Sequence, residues 1–245
     1  MPKLSDFDRL ERSIMRRFSR AMKQYSLVAD GDRVLAAVSG GKDSLCMLEL
    51  LGRRMQIDKP SFRVEAVHVR VENVRYETDT SYLSDFAAQY GIPMHVVTTA
   101  FPAADGSKPK PECFLCSWSR RKAMFKLAQQ IGCNKLALGH NNDDVIHTAM
   151  MNVFYEGRFA AMPARLRMRK MPLTIIRPLC LVPEGDIRRY AEARRYEPQR
   201  MFCPYEKASR RADMRRLFDQ IEHLSPGARF SVWRALDDAG KTVED

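Results

Sequence analysis

"VLAAVSGGKDSLCML", residues 34–48, decides how this chain folds. Five apolar residues come first, then Ser39, Gly40, Gly41, Lys42, Asp43 and Ser44, then a run of helix formers. The order predicts a buried strand, a tight turn and a helix. A Walker loop sets four residues between its first glycine and a Gly-Lys pair that Ser or Thr follows. Here Gly40, Gly41 and Lys42 are contiguous and Asp43 comes next, so the turn is shorter and ends differently. The physics of anion binding is unchanged. Two glycines let backbone N–H groups approach a phosphate, and the helix that opens near Asp43 offers its positive end. Ser39 and Ser44 add hydroxyl donors. Asp43 is a candidate Mg2+ ligand between phosphate oxygens, and Lys42 a candidate to neutralise developing negative charge. The plainer alternative is a Gly-Gly turn that only joins strand to helix.

Outward from this turn the pattern repeats. "FRVEAVHVRV" and "PMHVVTT" read as strands, "TSYLSDFAAQYG" as a helix closed by Gly91, and "SWSRRKAMFKLAQQIG" as a helix closed by Gly132. "NKLALGH" is another strand, and "DDVIHTAMMNVFYEG" a helix with a glycine stop. Strands alternating with helices at this pace mean βαβ units and a parallel sheet. Ligands of such sheets bind at the carboxyl ends of the strands, and residues 39–44, 113–116 and 140–144 all fall at or near that edge. "TIIRPL" is expected to be the last strand, with helices after it. The chain divides accordingly into a basic N-terminal helix (1–30), an α/β domain (31–180) and a helical C-terminal region (181–245). The acidic end, residues 237–245, is expected to be a mobile tail.

With 45% hydrophobic residues the 245-residue chain can bury a sizeable core. No stretch approaches the ~18 consecutive apolar residues of a membrane span, and the N-terminal "MPKLSDFDRLERSIMRRFSRAM" is an amphipathic basic helix without a signal peptide's apolar centre. A soluble, cytoplasmic protein is expected, with no membrane partner. The net charge is +11, and the 41 Lys and Arg cluster in the first helix, in "ARLRMRK", in "DIRRYAEARRY" and in "SRRADMRR". These are solvated helix faces or a surface that neutralises nucleic-acid phosphates.

Six cysteines are too few for a disulfide scaffold. One pair shares a motif: Cys113 and Cys116, spaced i, i+3 ahead of a basic helix. A zinc site would want four ligands, commonly two such pairs, and a redox dithiol would want little else. Cys203, in "QRMFCPYEKASRR", is the best third thiol because Pro204 and a polar turn set it at a helix entrance. Three thiolates suit an iron–sulfur cluster with one iron open. Spacing alone leaves a cluster and a thiol or persulfide relay nearly level, with zinc behind. Cys46, Cys133 and Cys180 read as small core residues.

"SGGKDS" after an apolar strand resembles the signature of the PP-loop ATP pyrophosphatases, which cleave ATP between its α and β phosphates. "LALGHNNDD" resembles that family's second element. The resemblance implies a Rossmann-like, adenine nucleotide α-hydrolase-like fold. It also implies that Asp143 and Asp144 are Mg2+- or substrate-orienting carboxylates and that His140 lines the site. The alternative is that two acids opening a helix only cap it and match its dipole. Taken with "CFLCSWSRR", "NVFYEGRFAAMP" and "IIRPL" in this order, the chain is similar to the tRNA 2-thiocytidine synthetases over residues 34–218. It departs from many of them in carrying Cys203 alone where they carry a second C-x-x-C. This likeness implies ATP and Mg2+, with Lys42, Asp43, Asp143 and Asp144 acting in catalysis. It implies a [4Fe–4S] cluster on Cys113, Cys116 and Cys203, a tRNA substrate thiolated at cytidine 32 through an O2-adenylate, and a sulfur donor supplying desulfurase-derived sulfide or persulfide. A homodimer is compatible with it. Trp118, Phe154, Tyr155 and Phe159 are candidates to stack the target base, although aromatics at such spacings more commonly fill a core. The rival readings are a 2-thiouridine synthetase, a lysidine-type ligase, or a non-catalytic, metal-stabilised RNA-binding protein. The last leaves "SGGKDS" and "GHNNDD" without work to do.

Overall fold

A computed structural model describes residues 4–72, 78–100, 112–197 and 210–245, without the side chains of residues 112, 113 and 210. Cys203 and Pro204 lie outside the described residues. The chain forms two compact units.

The first unit runs from Val28 to Gly139 and takes in the segment that starts at Tyr196. Its strands β1 (Arg33–Ala37), β2 (Arg63–Val71), β3 (Met94–Thr99) and β4 (Lys135–Ala137) lie in the order β3-β2-β1-β4. Every pairing among them is parallel, with Val34 opposite Val64 and Lys135, and Val67 opposite His95. The apolar run of β1 is buried, as expected where helices cover both faces of a parallel strand. The helices are α2 (Lys42–Met55), α3 (Thr80–Ala88) and α4 (Glu112–Gln130). Nine residues of α2 are buried. Its Gly52 is needed for close approach to the end of α3, because a Cβ there would stand 2.5 Å from Cβ of Tyr90. Each turn glycine found in the sequence does its work in the left-handed region, Gly91 at φ +66° and Gly132 at φ +71°.

The second unit comprises the chain through Leu27, His140–Arg195 and the C-terminal part to Asp245. It holds α1 (Asp6–Gln24), α5 (Asn142–Glu156), α6 (Glu184–Ala193), α7 (Arg210–Leu224) and α8 (Ala228–Asp238). Ser5 and Asp8 form a capping box that starts α1. The buried stripe Ile14, Phe18, Ala21 and Met22 seats this helix in the unit. Phe7 stacks on Tyr190 of α6, and Arg17 pairs with Asp186 at 2.5 Å. Helices α5, α7 and α8 share a core of Ile146, Met150, Met214, Phe218 and Ala228.

Two expectations need correction here. "TIIRPL" gives β6 (Thr174–Ile176), but "RLR" before it is also a strand, β5 (Arg165–Arg167), paired antiparallel to β6. The acidic end is ordered: β7 (Val243–Glu244) lies parallel to β5, buried Thr242 donates to Asp237 at 2.5 Å, and Arg165 pairs with Asp245 at 3.0 Å. Among the described residues no helix is long and apolar enough to cross a membrane.

Candidate active site

The turn after β1 is built as the sequence predicts. Gly40 has φ +89°, where a side chain would be strained. Ser39 N–H donates to Ser44 Oγ at 3.2 Å, Gly41 N–H to Ser39 Oγ at 3.3 Å, and Ser44 Oγ–H to the Gly41 carbonyl at 2.8 Å. The hydroxyls thus brace the loop they would help to turn into an anion site. Helices α1, α3 and α5 each close their first turn with a side chain from Ser5, Asp79 or Asn141. Helix α2, like α6 and α8, has no side-chain cap, and its N-cap residue is Gly41. Its N-terminal N–H groups are the kind of donors that bind phosphate. Lys42 Nζ lies 3.0 Å from Asp43 Oδ2, both about one-third exposed, so the cation and the candidate Mg2+ ligand neutralise each other at the mouth of the loop.

Two residues that the sequence reading passed over shape this loop. A Cβ at Gly139 would stand 3.2 Å from N and Cα of Ser44 and 3.3 Å from the Asp43 carbonyl carbon. The chain just after β4 therefore lies against the first turn of α2, and any side chain here would push that backbone back by a few tenths of an ångström. The signal was present in "LALGH", where a glycine follows a strand. The second is His68 on β2. It is buried, with Nδ1 2.8 Å from the carbonyl of Val38, the residue before the loop, and burial holds its pKa below the ordinary value. A neutral imidazole donating from Nδ1 would pin the strand end that launches the turn.

The thiols separate into two groups. Cys46 and Cys180 are sealed in the core, and burial pushes both thiols far up; burial raises Cys133 to about 11. These three are packing residues. Cys116 is half-buried. It and Cys113 lie within the first two turns of α4, not ahead of the helix as the spacing suggested. α4 connects β3 to β4, both parallel to β1 in one sheet, so it must start at the carboxyl edge where the loop 39–44 also lies. On the same helix Phe114 and Trp118 are about half exposed, with Lys122 Nζ 5.2 Å from the Trp118 ring centre. Among the described residues no three His, Cys, Asp or Glu side chains group as a metal site.

In the second unit residues 140–144 are held by many partners. Asn141 and Asp144 form the capping box of α5, and Asp144 also pairs with Arg211 at 3.1 Å. Asp143 accepts the Glu184 N–H at 2.7 Å and pairs with Arg229 at 2.8 Å; Arg229 also holds Glu222 at 2.5 Å. Asp144 thus takes the capping role that was the alternative to a catalytic one, Asp143 does not cap α5, and both carboxylates are paired with arginines of α7 and α8. Arg177, buried in the "RPL" segment, donates from Nε to His140 Nδ1 at 3.3 Å and from Nη1 to the Pro163 carbonyl at 2.5 Å. A guanidinium can only donate. Nδ1 of His140 is thus the acceptor, and the ring proton sits on Nε2. The aromatic candidates Phe154, Tyr155 and Phe159 are exposed, against the commoner expectation of core packing.

These features define a class: the sequence model described as a PP-loop domain matches residues 10–202. The chain is 31% identical to the tRNA-cytidine(32) 2-sulfurtransferase of Bordetella avium over 235 residues, 94% of this chain and 73% of that protein. It is 32% identical to that of Delftia acidovorans, across 93% of this chain and 74% of the other. The U34-tRNA thiolase NcsA from Methanococcus maripaludis, solved with its [4Fe-4S] cluster, superposes with a TM-score of 0.78 at 25% identity, covering 95% of this chain and 79% of that one. The chain belongs to the tRNA-cytidine(32) 2-sulfurtransferase family of PP-loop proteins.

Proposed function

We propose that this chain replaces the C2 oxygen of cytidine 32 in the tRNA anticodon loop with sulfur, consuming ATP. The observation that carries this reading is the braced loop 39–44, which opens α2 on glycine at the sheet edge from which α4 and its cysteines start. The names and cluster of the relatives support it.

The chemistry explains why ATP is needed. Two ring nitrogens feed electron density to C2, and oxide is a poor leaving group. Attack of the cytosine O2 on the α-phosphorus forms an O–P bond and expels pyrophosphate. Sulfide then forms a C–S bond at C2, and the C–O bond breaks to release AMP. Backbone N–H groups of Gly40 and Gly41 and the hydroxyls of Ser39 and Ser44 would hold the pyrophosphate. Lys42 would stabilise it as it departs, exchanging Asp43 for phosphate, while Asp43 turns to Mg2+. Asp143 and Asp144 would reach a cation or substrate with lone pairs left over from, or exchanged with, Arg229 and Arg211. The donor set suits a soft metal centre: two cysteines one turn apart open α4, and Cys116 is not sealed as the core thiols are. Cys113, Cys116 and Cys203 would hold a [4Fe–4S] cluster that supplies an open iron for sulfide. Within this reading, residues 1–30 and 181–245 serve tRNA binding and the third thiol, and 31–180 the ATP chemistry. Its setting is the cytoplasm, with a desulfurase-derived sulfur donor and a homodimeric assembly.

Pyrophosphate release in the presence and absence of tRNA tests the proposal. Release should require tRNA and vanish in Lys42→Ala; a full rate in that variant removes the loop from the reaction.

A further inference from the structure

We infer that the end of α5 and the turn after it form a preorganised platform on which an unpaired nucleobase of the tRNA loop stacks. The inference rests on the proposed tRNA substrate and deepens it by naming where the RNA is held.

Helix α5 buries Ile146 and Met150 in the core it shares with α7 and α8, so its last turn stands on a fixed base. Beyond that base the helix exposes large apolar side chains in succession: Val153 is 42% exposed, Phe154 61% and Tyr155 45%, and Phe159 follows at 46%. Exposed apolar groups concentrated this way mark an interaction surface. The turn that presents them is closed from both sides by Asn152. Its carbonyl accepts the N–H of Gly157, which has φ +61°, and that of Arg158 at 2.9 Å. Its side-chain amide donates to the Ala160 carbonyl at 2.7 Å. Asn152 is therefore a positioning residue that ties the helix end to the loop carrying Phe159.

Charge selects the occupant. Arg158 falls between the aromatic residues in sequence; its side chain is 71% exposed and faces Glu156, itself 52% exposed, at 3.9 Å, an open surface pair that holds the guanidinium only weakly. The "ARLRMRK" stretch that follows leaves Arg167, Arg169 and Lys170 exposed. Much of the other clustered charge is consumed internally: Arg189 pairs with Asp186, Arg211 with Asp144, Arg215 with Glu184 and Arg216 with Asp213. A second copy of a +11 chain would bring like charges together here. Aromatic faces interleaved with arginine match single-stranded RNA, whose bases stack while its phosphates meet the cations.

The test uses the full chain, an anticodon stem-loop RNA carrying 2-aminopurine in the loop, and the Phe154→Ala/Phe159→Ala double variant. Both side chains are exposed, and circular dichroism checks that the variant folds. The wild type should quench 2-aminopurine. The double variant should lose the quenching and raise Kd about tenfold or more, since each stacked base is worth ~1–3 kcal/mol, with the salt dependence unchanged. Arg158→Gln should instead lower the salt slope by about 1. Asn152→Ala should weaken quenching with its aromatic residues intact. Unchanged Kd and quenching in the double variant overturn the inference. So does a loss of RNA binding that accompanies conversion of a dimer to monomers in sedimentation, which would make the patch an interface between copies. Thiolation by the wild type, measured in parallel, reports on the proposed activity independently.

Discussion

Gly139→Ala is the sharpest structural perturbation. The added methyl would meet N and Cα of Ser44 at 3.2 Å and the Asp43 carbonyl carbon at 3.3 Å. All three are backbone atoms in the first turn of α2 and cannot swing aside as a side chain would. Forcing a methyl group into such a packed position costs about 1–3 kcal/mol. If the strain falls on the turn proposed to hold pyrophosphate, ATP affinity drops by about 5- to 150-fold, at 1.4 kcal/mol per factor of ten. Gly41→Ala is the matching control. Its φ of −78° suits any residue, and its Cβ would meet only Ser39 Oγ, at 3.5 Å. That variant should keep the wild-type melting temperature yet lose ATP affinity, because the methyl stands where a phosphate must approach the backbone. Calorimetric titration with Mg·ATP beside thermal unfolding separates the two effects. Wild-type ATP affinity and melting temperature in Gly139→Ala would refute the proposed approach of β4 to the loop.

Other consequences follow from the same geometry. Arg229→Met strips Asp143 and Glu222 of a cation only 13% exposed. Breaking a buried pair this way should cost about 3 kcal/mol in urea unfolding. Burial holds His147, packed edge-on against Phe218, and His68 below the ordinary pKa of 6.5. The folded state therefore binds fewer protons than the unfolded one. Stability present above pH 6.5 should decline as pH falls towards the lowered values, and His147→Phe should flatten part of that decline in urea titrations at pH 7.5 and 5.5. In native alkylation followed by peptide mapping, Cys116 should react well before Cys46, Cys133 and Cys180, whose thiols are buried and raised.

Local chemistry made most of the fold legible. The apolar run at Val34 and the glycine stops at 91, 132 and 157 each specify structure within a few residues. The β5–β6–β7 arrangement was not legible, because "RLR" is too short and basic to read as a strand and its partner β7 lies more than seventy residues away. At the site, the loop residues and the cysteine pair carry chemistry in their own types. Gly139 matters only through a contact with α2, and Arg177, Arg211 and Arg229 matter only through the side chains they meet. Those pairings span from 37 to 95 positions, beyond the reach of periodicity or spacing. The acidic end misled for the same reason, since its partner Arg165 is 80 residues distant.

The most direct measurement is nucleoside mass spectrometry of unmodified tRNA incubated without oxygen with the protein, Mg·ATP and sulfide. The account predicts 2-thiocytidine at position 32 in the wild type, none when ATP is omitted, and none with Cys113→Ala although that variant still binds ATP. Thiolation by Cys113→Ala at the wild-type level, or thiolation that proceeds without ATP, would contradict it.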